Sequence, residues 1–384
     1  MTLPIPTDTA ATTPQPDARR TRIGAILLGV GLVLLVVLAA SPAPYVIRQP
    51  GPAFDALHST TVRDAEGNEQ EVEVISIDGT TSYPVESGEL TVMTVNIAGS
   101  PDHQPNWFEL AGAWLTPSKD VLPIEAYYPT GVTKDERDAQ TSLMMQQSQD
   151  TAIAAALTEL GRPVSTEVVV AAVNADGPSA GLLEVGDVLL KYGDQPVSDL
   201  ASVKATTLQP APTDITIRRG DVEQVVSVTP VPTETDAGTK PLLGVSVQER
   251  HAFPFDVKIE LGDVGGPSAG MVFALSTIDK LTPGDLTGGA IVSGSGTIDP
   301  DGTIGPIGGV RQKLYAAAAI GAAYFIAAEG NCAEAIGGGV PGDLPVFAVA
   351  DLTEALHVVE QNAAQDTAGL RTCEDALAAN VPQE

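Results

Sequence analysis

The spacing of hydrophobic residues changes along this chain, and each change predicts a different element. From Ile23 to Ile47, "IGAILLGVGLVLLVVLAASPAPYVI" is apolar and uncharged, with no polar face. A run of that length predicts one helix able to span a hydrocarbon core of about 30 Å. Further on, "EVEVISI" and "LTVMTVNI" alternate with the period of strands. "TKDE", Thr133 to Glu136, is a capping-box signature. It opens a helix that runs to about Leu160 and is stopped by Gly161 and Pro163. That helix carries Leu143, Met144, Met145, Ile153 and Leu157, a set suited to core packing or to docking a neighbouring domain.

Residues 164–230 read as a compact β-rich unit. "STEVVVAAVNADGPSAGLLEVGDVLLKYGDQPV" holds two β-rich runs around a short helical turn, and "DITIRRGDVEQVVSVTP" reads as a hairpin around Gly220. "VPTETDAGTKP", 231–241, reads as a polar linker. From 242 to 363, strand-like and helix-like segments alternate: "FDVKIEL", "SAGMVFALSTIDKL", "GAIVSGSGTI", "VRQKLYAAAAIGA", "YFIAA", "LPVFAVA" and "LTEALHVVEQ". Such alternation predicts an α/β arrangement. The expected class is therefore α+β and multidomain. A polar tail (1–22) and a transmembrane helix (23–47) precede a mixed α/β region (50–163). The β-rich unit, the linker, the α/β domain and a C-terminal tail (364–384) follow.

Length and charge narrow the function classes. The 384 residues suit two or three domains, and "MTLPIPTDTAATTPQPDA" has the composition of a disordered tail. A formal net charge of −29 argues against a nucleic-acid partner and against docking on anionic lipid through basic patches. Arg19, Arg20 and Arg22 precede the apolar run, and acids dominate beyond Arg48. The positive-inside rule then puts the N-terminal tail in the cytoplasm. The bulk of the chain is expected outside, anchored in the cell membrane by a single pass. A cleaved signal peptide ending near "LAASPAP" is the alternative. Cys332 and Cys373 form an even pair, which an oxidising exterior can join as a disulfide. His58, His103, His251 and His357 are scattered, and no CxxC or HxxxH spacing points to a metal. No phosphate-cradling glycine-lysine loop is present, so neither ATP nor any other cofactor is expected.

The candidate chemistry lies in a repeated pentapeptide. "GPSAG" occurs at 177–181 and again at 266–270. It fits the G-x-S-x-G elbow of hydrolases, but the one histidine downstream of the second copy, His357, falls inside a predicted helix. A serine can instead be activated by a lysine whose amine is neutral. Lysine ordinarily titrates near 10.4, so burial must lower it. Lys313 suits this: its helical neighbours Val310, Ala317 and Ile320 are apolar. The alternative is a lysine whose stem lies along the rim of a core and whose head reaches water.

Two resemblances add to this reading. Gly177-Pro178-Ser179-Ala180-Gly181-Leu182, followed by Val185-Gly186-Asp187-Val188-Leu189, resembles a bacterial PDZ domain. That resemblance implies binding of extended peptides by strand addition. "GGPSAG" followed by "SGTIDPDGTIGPIGGVRQKLYAA" resembles the proteolytic domain of Lon proteases, over roughly residues 242–360. By that resemblance Ser268 is the nucleophile and Lys313, after Pro306-Ile307-Gly308-Gly309, is its base. The run from Ser295 to Lys313 fits the family block without a gap, and "AYFIAAEGN", ending at Asn331, matches the strand and asparagine that follow. Ser268 stands at a predicted helix N-terminus, whose free N–H groups favour negative charge, so an oxyanion cleft is expected around Gly266, Pro267 and Ala269. Ser295 or Thr297 is the candidate hydrogen-bond partner of Lys313. Two acids usual in the family are missing: Gly265 stands where one is common, with Asp263 two residues back, and Thr297 replaces the other. Anchor, PDZ unit and Lon-type domain without an ATPase together resemble the PDZ-containing Lon-like peptidases. These imply ATP-independent cleavage of extracytoplasmic proteins, with a homo-hexamer also implied. A membrane-anchored peptide-binding scaffold with an idle dyad is the runner-up. A tail-specific processing peptidase is a third reading, disfavoured because the linker separates the two domains.

Overall fold

The structure is a computed structural model that describes residues 18–63, 68–206, 208–235, 238–262 and 264–379. Most of the tail read over 1–22, the acid Asp263, Asp236 and Ala237 of the linker, and residues 380–384 lie outside the described residues. The chain divides into two compact units, one of residues 1–49 with 97–134, the other of 50–96 with 135–384.

The smaller unit begins with a helix over Ala18–Ala40. It starts earlier than the apolar pattern suggested and ends sooner. Pro42 and Pro44 lack an N–H and push the residues before them out of helical geometry, so Tyr45–Ile47 belong instead to a strand, Tyr45–Asp55. The first residues of that strand pair antiparallel with Asp120–Pro123, from Tyr45 opposite Pro123 to Arg48 opposite Asp120. A short helix, Trp107–Trp114, is closed by a reciprocal capping box between Asn106 and Glu109. Leu110 and Ala113 of this helix pack with Ala43 and Ile47.

The larger unit is built on a parallel sheet. Its strands run in the order Val346–Val349, Tyr324–Ala328, Ile291–Ser295 and Glu89–Ala98, with residues 50–55 beyond. The first four pair in parallel. Such strands are covered on both faces, which is why "YFIAA" and "VFAV" are apolar at every position and wholly buried. Alternation divides them between two cores. Tyr324, Ile326 and Ala328 face a layer containing Gly270–Leu281, Leu352–Ala363 and the long helix Lys134–Glu159. Phe325 and Ala327 face a layer containing Val310–Ala319, Cys332–Gly337 and Cys373–Ala379. In the long helix Met145, Ile153 and Leu157 are buried, whereas Leu143 and Met144 are exposed.

A second, antiparallel sheet lies over Val222–Val228, Thr213–Arg219, Val188–Tyr192, Ser165–Val173 and Val245–Ala252, in that order. It has its own core of Val168, Val170, Leu183, Leu189, Ile215 and Ile217. The Gly186-Asp187 turn is fixed by a fork from Arg219, whose Nε and Nη2 each donate to Asp187 at 2.7 Å.

Three segments differ from their sequence reading. The stretch read as a linker forms a hairpin, Val231–Thr235 with Gly238–Leu242; exposed on every described residue up to Glu234, it has no apolar face to signal a strand. The β-rich unit does not end at 230, because Val245–Ala252 returns to pair with Ser165–Val173. The region read as a C-terminal tail contains the helix Cys373–Ala379, whose Cys373 and Ala376 are buried and whose Cys373 is disulfide-bonded to Cys332. Reducing that bond, or Cys373→Ala, is expected to lower the unfolding free energy by about 2–4 kcal/mol, read as a lower urea midpoint. An unchanged midpoint after complete reduction would show that the cross-link stabilises nothing.

Candidate active site

The site lies at the carboxyl end of the strand Ile291–Ser295, where segments from both helical layers meet. Open parallel sheets place their ligand crevices at such strand ends. Ser268 comes from one layer, in the loop that enters the helix Gly270–Leu281. Lys313 comes from the other, one turn into Val310–Ala319.

The loop before Ser268 is held from two directions. Gly266 N–H donates to the Thr141 carbonyl at 2.8 Å. Ser148 Oγ donates to the Pro267 carbonyl at 3.1 Å. Both partners sit on the long helix. From the strand end, the Ser295 hydroxyl and the Gly296 N–H donate to the Ser268 carbonyl at 2.8 and 3.2 Å. The paired glycines serve two needs. A Cβ on Gly265 would lie 2.8 Å from Thr141 Oγ1, and Gly266 adopts φ +93°, which favours glycine.

The lysine side is equally determined. Gly309 caps its helix at φ +77°. Asn331, almost fully buried, clamps the preceding turn: its Oδ1 accepts from Ile307 N–H and its Nδ2 donates to the Ile307 carbonyl, both at 2.8 Å. The side chain then reaches through a buried environment to place Nζ 2.7 Å from Ser268 Oγ and 2.8 Å from Ser295 Oγ. Lys313 is 1% exposed. Desolvation lowers its pKa from 10.5 to about 7.

The proton directions follow from counting donors. Ser295 has one hydroxyl proton and gives it to the Ser268 carbonyl. Toward Lys313 it can therefore act only as acceptor. A neutral amine that gives one N–H to Ser295 keeps its lone pair, which is then free to face the Ser268 hydroxyl. Around the serine, the backbone N–H groups of Ser268 and Ala269 donate to no group among the described residues. They lie at the start of a helix with no side-chain cap, where free N–H groups favour negative charge. Chemically, the arrangement offers a nucleophile, a base and donors for an oxyanion.

The expected residues separate accordingly. Ser268, Lys313 and Ser295 are joined by hydrogen bonds, and Gly266, Pro267 and Ala269 flank the serine. Thr297 instead sits opposite Gly305 in a short ladder; the contact to Lys313 is made by Ser295. Cys332 directly follows the clamp residue Asn331 in sequence. Ser179, from the other pentapeptide, is fully buried and donates to the Leu243 carbonyl at 2.7 Å, a packing role. Sequence reading missed Ser148 and Thr141. Ser148 lies three residues after Met145 and four before Ala152, so it occupies a polar position on a buried helical stripe. That was its one legible signal.

A second candidate site lies on the antiparallel sheet. Val245–Ala252 pairs with Ser165–Val173 on one side and is the last strand in the sheet order. Beside it the helix Leu200–Ala205 is attached by Leu200 N–H donating to Glu249 Oε1 at 2.7 Å. Between them opens a cavity of ≈ 550 Å³ with Val173, Val203, Leu208, Leu243 and Val245 in its walls.

No family model and no curated protein matches the sequence. Among solved structures, the chain is similar to the PDZ domain of an SdrC-like protein from Listeria innocua. The identity is 21%, over 21% of this chain and 92% of that one, with a TM-score of 0.18. It is also similar to the PDZ domain of an SdrC-like protein from Listeria monocytogenes, at 18% identity over 21% and 85% of the two chains, TM-score 0.19.

The displaced titration of Lys313 has a measurable consequence. The unfolded chain keeps an ordinary lysine, so between about pH 7 and 10.5 it binds a proton that the folded chain lacks. Stability therefore rises with pH across that window and is lowest on its acid side. Lys313→Met is expected to remove this one-proton slope and to gain most over the parent near pH 7, measured by urea unfolding at several pH values. Identical slopes in the two proteins would mean that the folded amine is charged.

Proposed function

We propose that the chain is an ATP-independent serine endopeptidase of the Lon-like type, with Ser268 as nucleophile and Lys313 as general base. The observation that carries this reading is the 2.7 Å contact between Lys313 Nζ and Ser268 Oγ at an amine that burial brings to a pKa of about 7. In the proposed reaction the amine takes the Ser268 proton as Oγ attacks a peptide carbonyl. The Ser268 and Ala269 N–H groups receive the oxyanion. The lysine then returns its proton to the departing amine, leaving an acyl-enzyme. Water, deprotonated by the same lysine, attacks the ester; the Ser268 Oγ–acyl bond breaks, and the lysine gives its proton to Ser268 Oγ as the acid product leaves. Ser295 acts as a positioning residue that orients the lysine lone pair.

The groove beside Val245–Ala252 supports a second component: an extended peptide adding a strand at that edge and seating apolar side chains in the cavity. In this reading the apolar helix anchors the protein, and its substrates are proteins on the extracytoplasmic side. A peptide-binding scaffold with an idle dyad rests on the same groove.

The discriminating assay uses an unfolded protein substrate. Ser268→Ala and Lys313→Ala are each expected to lower kcat/KM by at least ~10³-fold, while Ser179→Ala retains cleavage. Because the base must be neutral, kcat/KM is expected to rise through about pH 7 and level off above it. Full activity in Lys313→Ala would sink the dyad; a wild-type protein that cleaves nothing, yet binds peptide, would favour the scaffold.

A further inference from the structure

In the smaller unit, the helix Trp107–Trp114 is apolar on the side where a surface helix should be polar. Leu110 and Ala113 supply its core contacts. On the outer side, Phe108, Trp114 and the C-cap residue Leu115 are 44%, 60% and 85% exposed. Phe108, Ala111 and Leu115 fall at i, i+3 and i+7, so they form one stripe, with Trp114 alongside. Glu109 is the single charged residue in the helix, and its carboxylate is occupied by the Asn106 N–H at 2.8 Å. A helix bordering water normally shows the opposite pattern.

Its position says what covers this face. The apolar helix is long enough to cross a bilayer over Arg22–Ala40, with none of that stretch buried. The chain leaves it at Ser41, whose hydroxyl donates back to the Val37 carbonyl. The next residue, Pro42, bridges Asn106, the N-cap of Trp107–Trp114. Ala43 N–H donates to the Pro105 carbonyl at 2.9 Å. The outward apolar stripe thus begins where the span ends. Tyr45 and Trp107 meet edge-on at 6.2 Å beside it. Trp and Tyr concentrate at the level of lipid headgroups, where a ring can be half wet.

Resting on the reading that Arg22–Ala40 crosses a membrane, we propose that Phe108, Ala111, Trp114 and Leu115 insert into the headgroup and upper acyl region of the same bilayer. The smaller unit then sits on lipid rather than hanging from one helix. The stripe is uncharged and the protein carries a net charge of −29, so the attraction is apolar and a zwitterionic lipid suffices.

The chain's two tryptophans, Trp107 and Trp114, are both in this helix, so its fluorescence reports on it directly. The full chain carrying Trp107→Phe would be reconstituted into phosphatidylcholine vesicles, with and without bromine at shallow acyl positions. Co-flotation after an alkaline wash would report on the anchor separately. Expected is at least a twofold quenching of Trp114 by the brominated lipid, with acrylamide quenching reduced relative to the same protein extracted by protease release of its anchor. Replacing Phe108 and Leu115 by Ser should restore acrylamide access while co-flotation persists. If the chain floats but Trp114 is unquenched by bromolipid and open to acrylamide, the insertion is wrong and the anchor stands. If Trp114 is shielded only as protein concentration rises, without bromine quenching, a second copy covers the face and the proposal fails. If the chain does not float, the anchor reading fails and the proposal with it.

Discussion

One amine removed from water organises the candidate site. An ammonium at the position of Lys313 would be buried with no carboxylate among the described residues to balance it, and burial is what brings the group to about pH 7. Everything around it follows from that constraint. The stem needs a buried, apolar setting, and the helix that carries it buries Val310, Leu314, Ala316 and Ala317 beside Lys313 itself. The head needs hydrogen-bond partners of no net charge, supplied by two serine hydroxyls.

The parallel sheet makes that arrangement possible. Residues 291–295 form a strand between two helical layers, so its carboxyl end is one of the few places where both layers can reach a common point. The helix that follows Ser268 and the helix that carries Lys313 pack into different cores, and Ser295 is hydrogen-bonded to both residues. The long helix adds a constraint from a distant part of the chain: its Thr141 carbonyl and Ser148 hydroxyl hold the loop whose geometry aims Ser268.

Legibility in the sequence followed the range of the interactions. The meeting of Ser268 and Lys313 could be read because both stand in short motifs with glycines at positions that demand them, and because Lys313 lies on an apolar helical face. The strands "YFIAA" and "LPVFAVA" were plain from composition. What escaped were contacts that no local pattern encodes. Residues 50–55 and 89–96 join the strands of the later α/β segment through long-range pairing. Val245–Ala252 belongs to a sheet whose other strands end before residue 229, and its alternation does not say which neighbour it will choose. The hairpin at 231–242 looked like a linker because an exposed ladder needs no hydrophobic face. Thr297 and Ser295 were equivalent candidates by sequence, and strand pairing turned one toward Gly305 and left the other at Lys313.

The buried lysine also sets how the site responds to its medium. Surface ion pairs weaken as dissolved ions screen them, over a Debye length of about 10 Å at 0.1 M. Among the described residues Lys313 makes no ion pair to be screened: its contacts with Ser268 and Ser295 join groups that are all neutral once the amine has lost its proton. A protein with so many acids is exposed to large swings in its electrostatic surroundings as salt varies. The contacts among the three side chains rest on exclusion of water rather than on attraction between charges, so while the amine is neutral added salt has no charge pair there to screen.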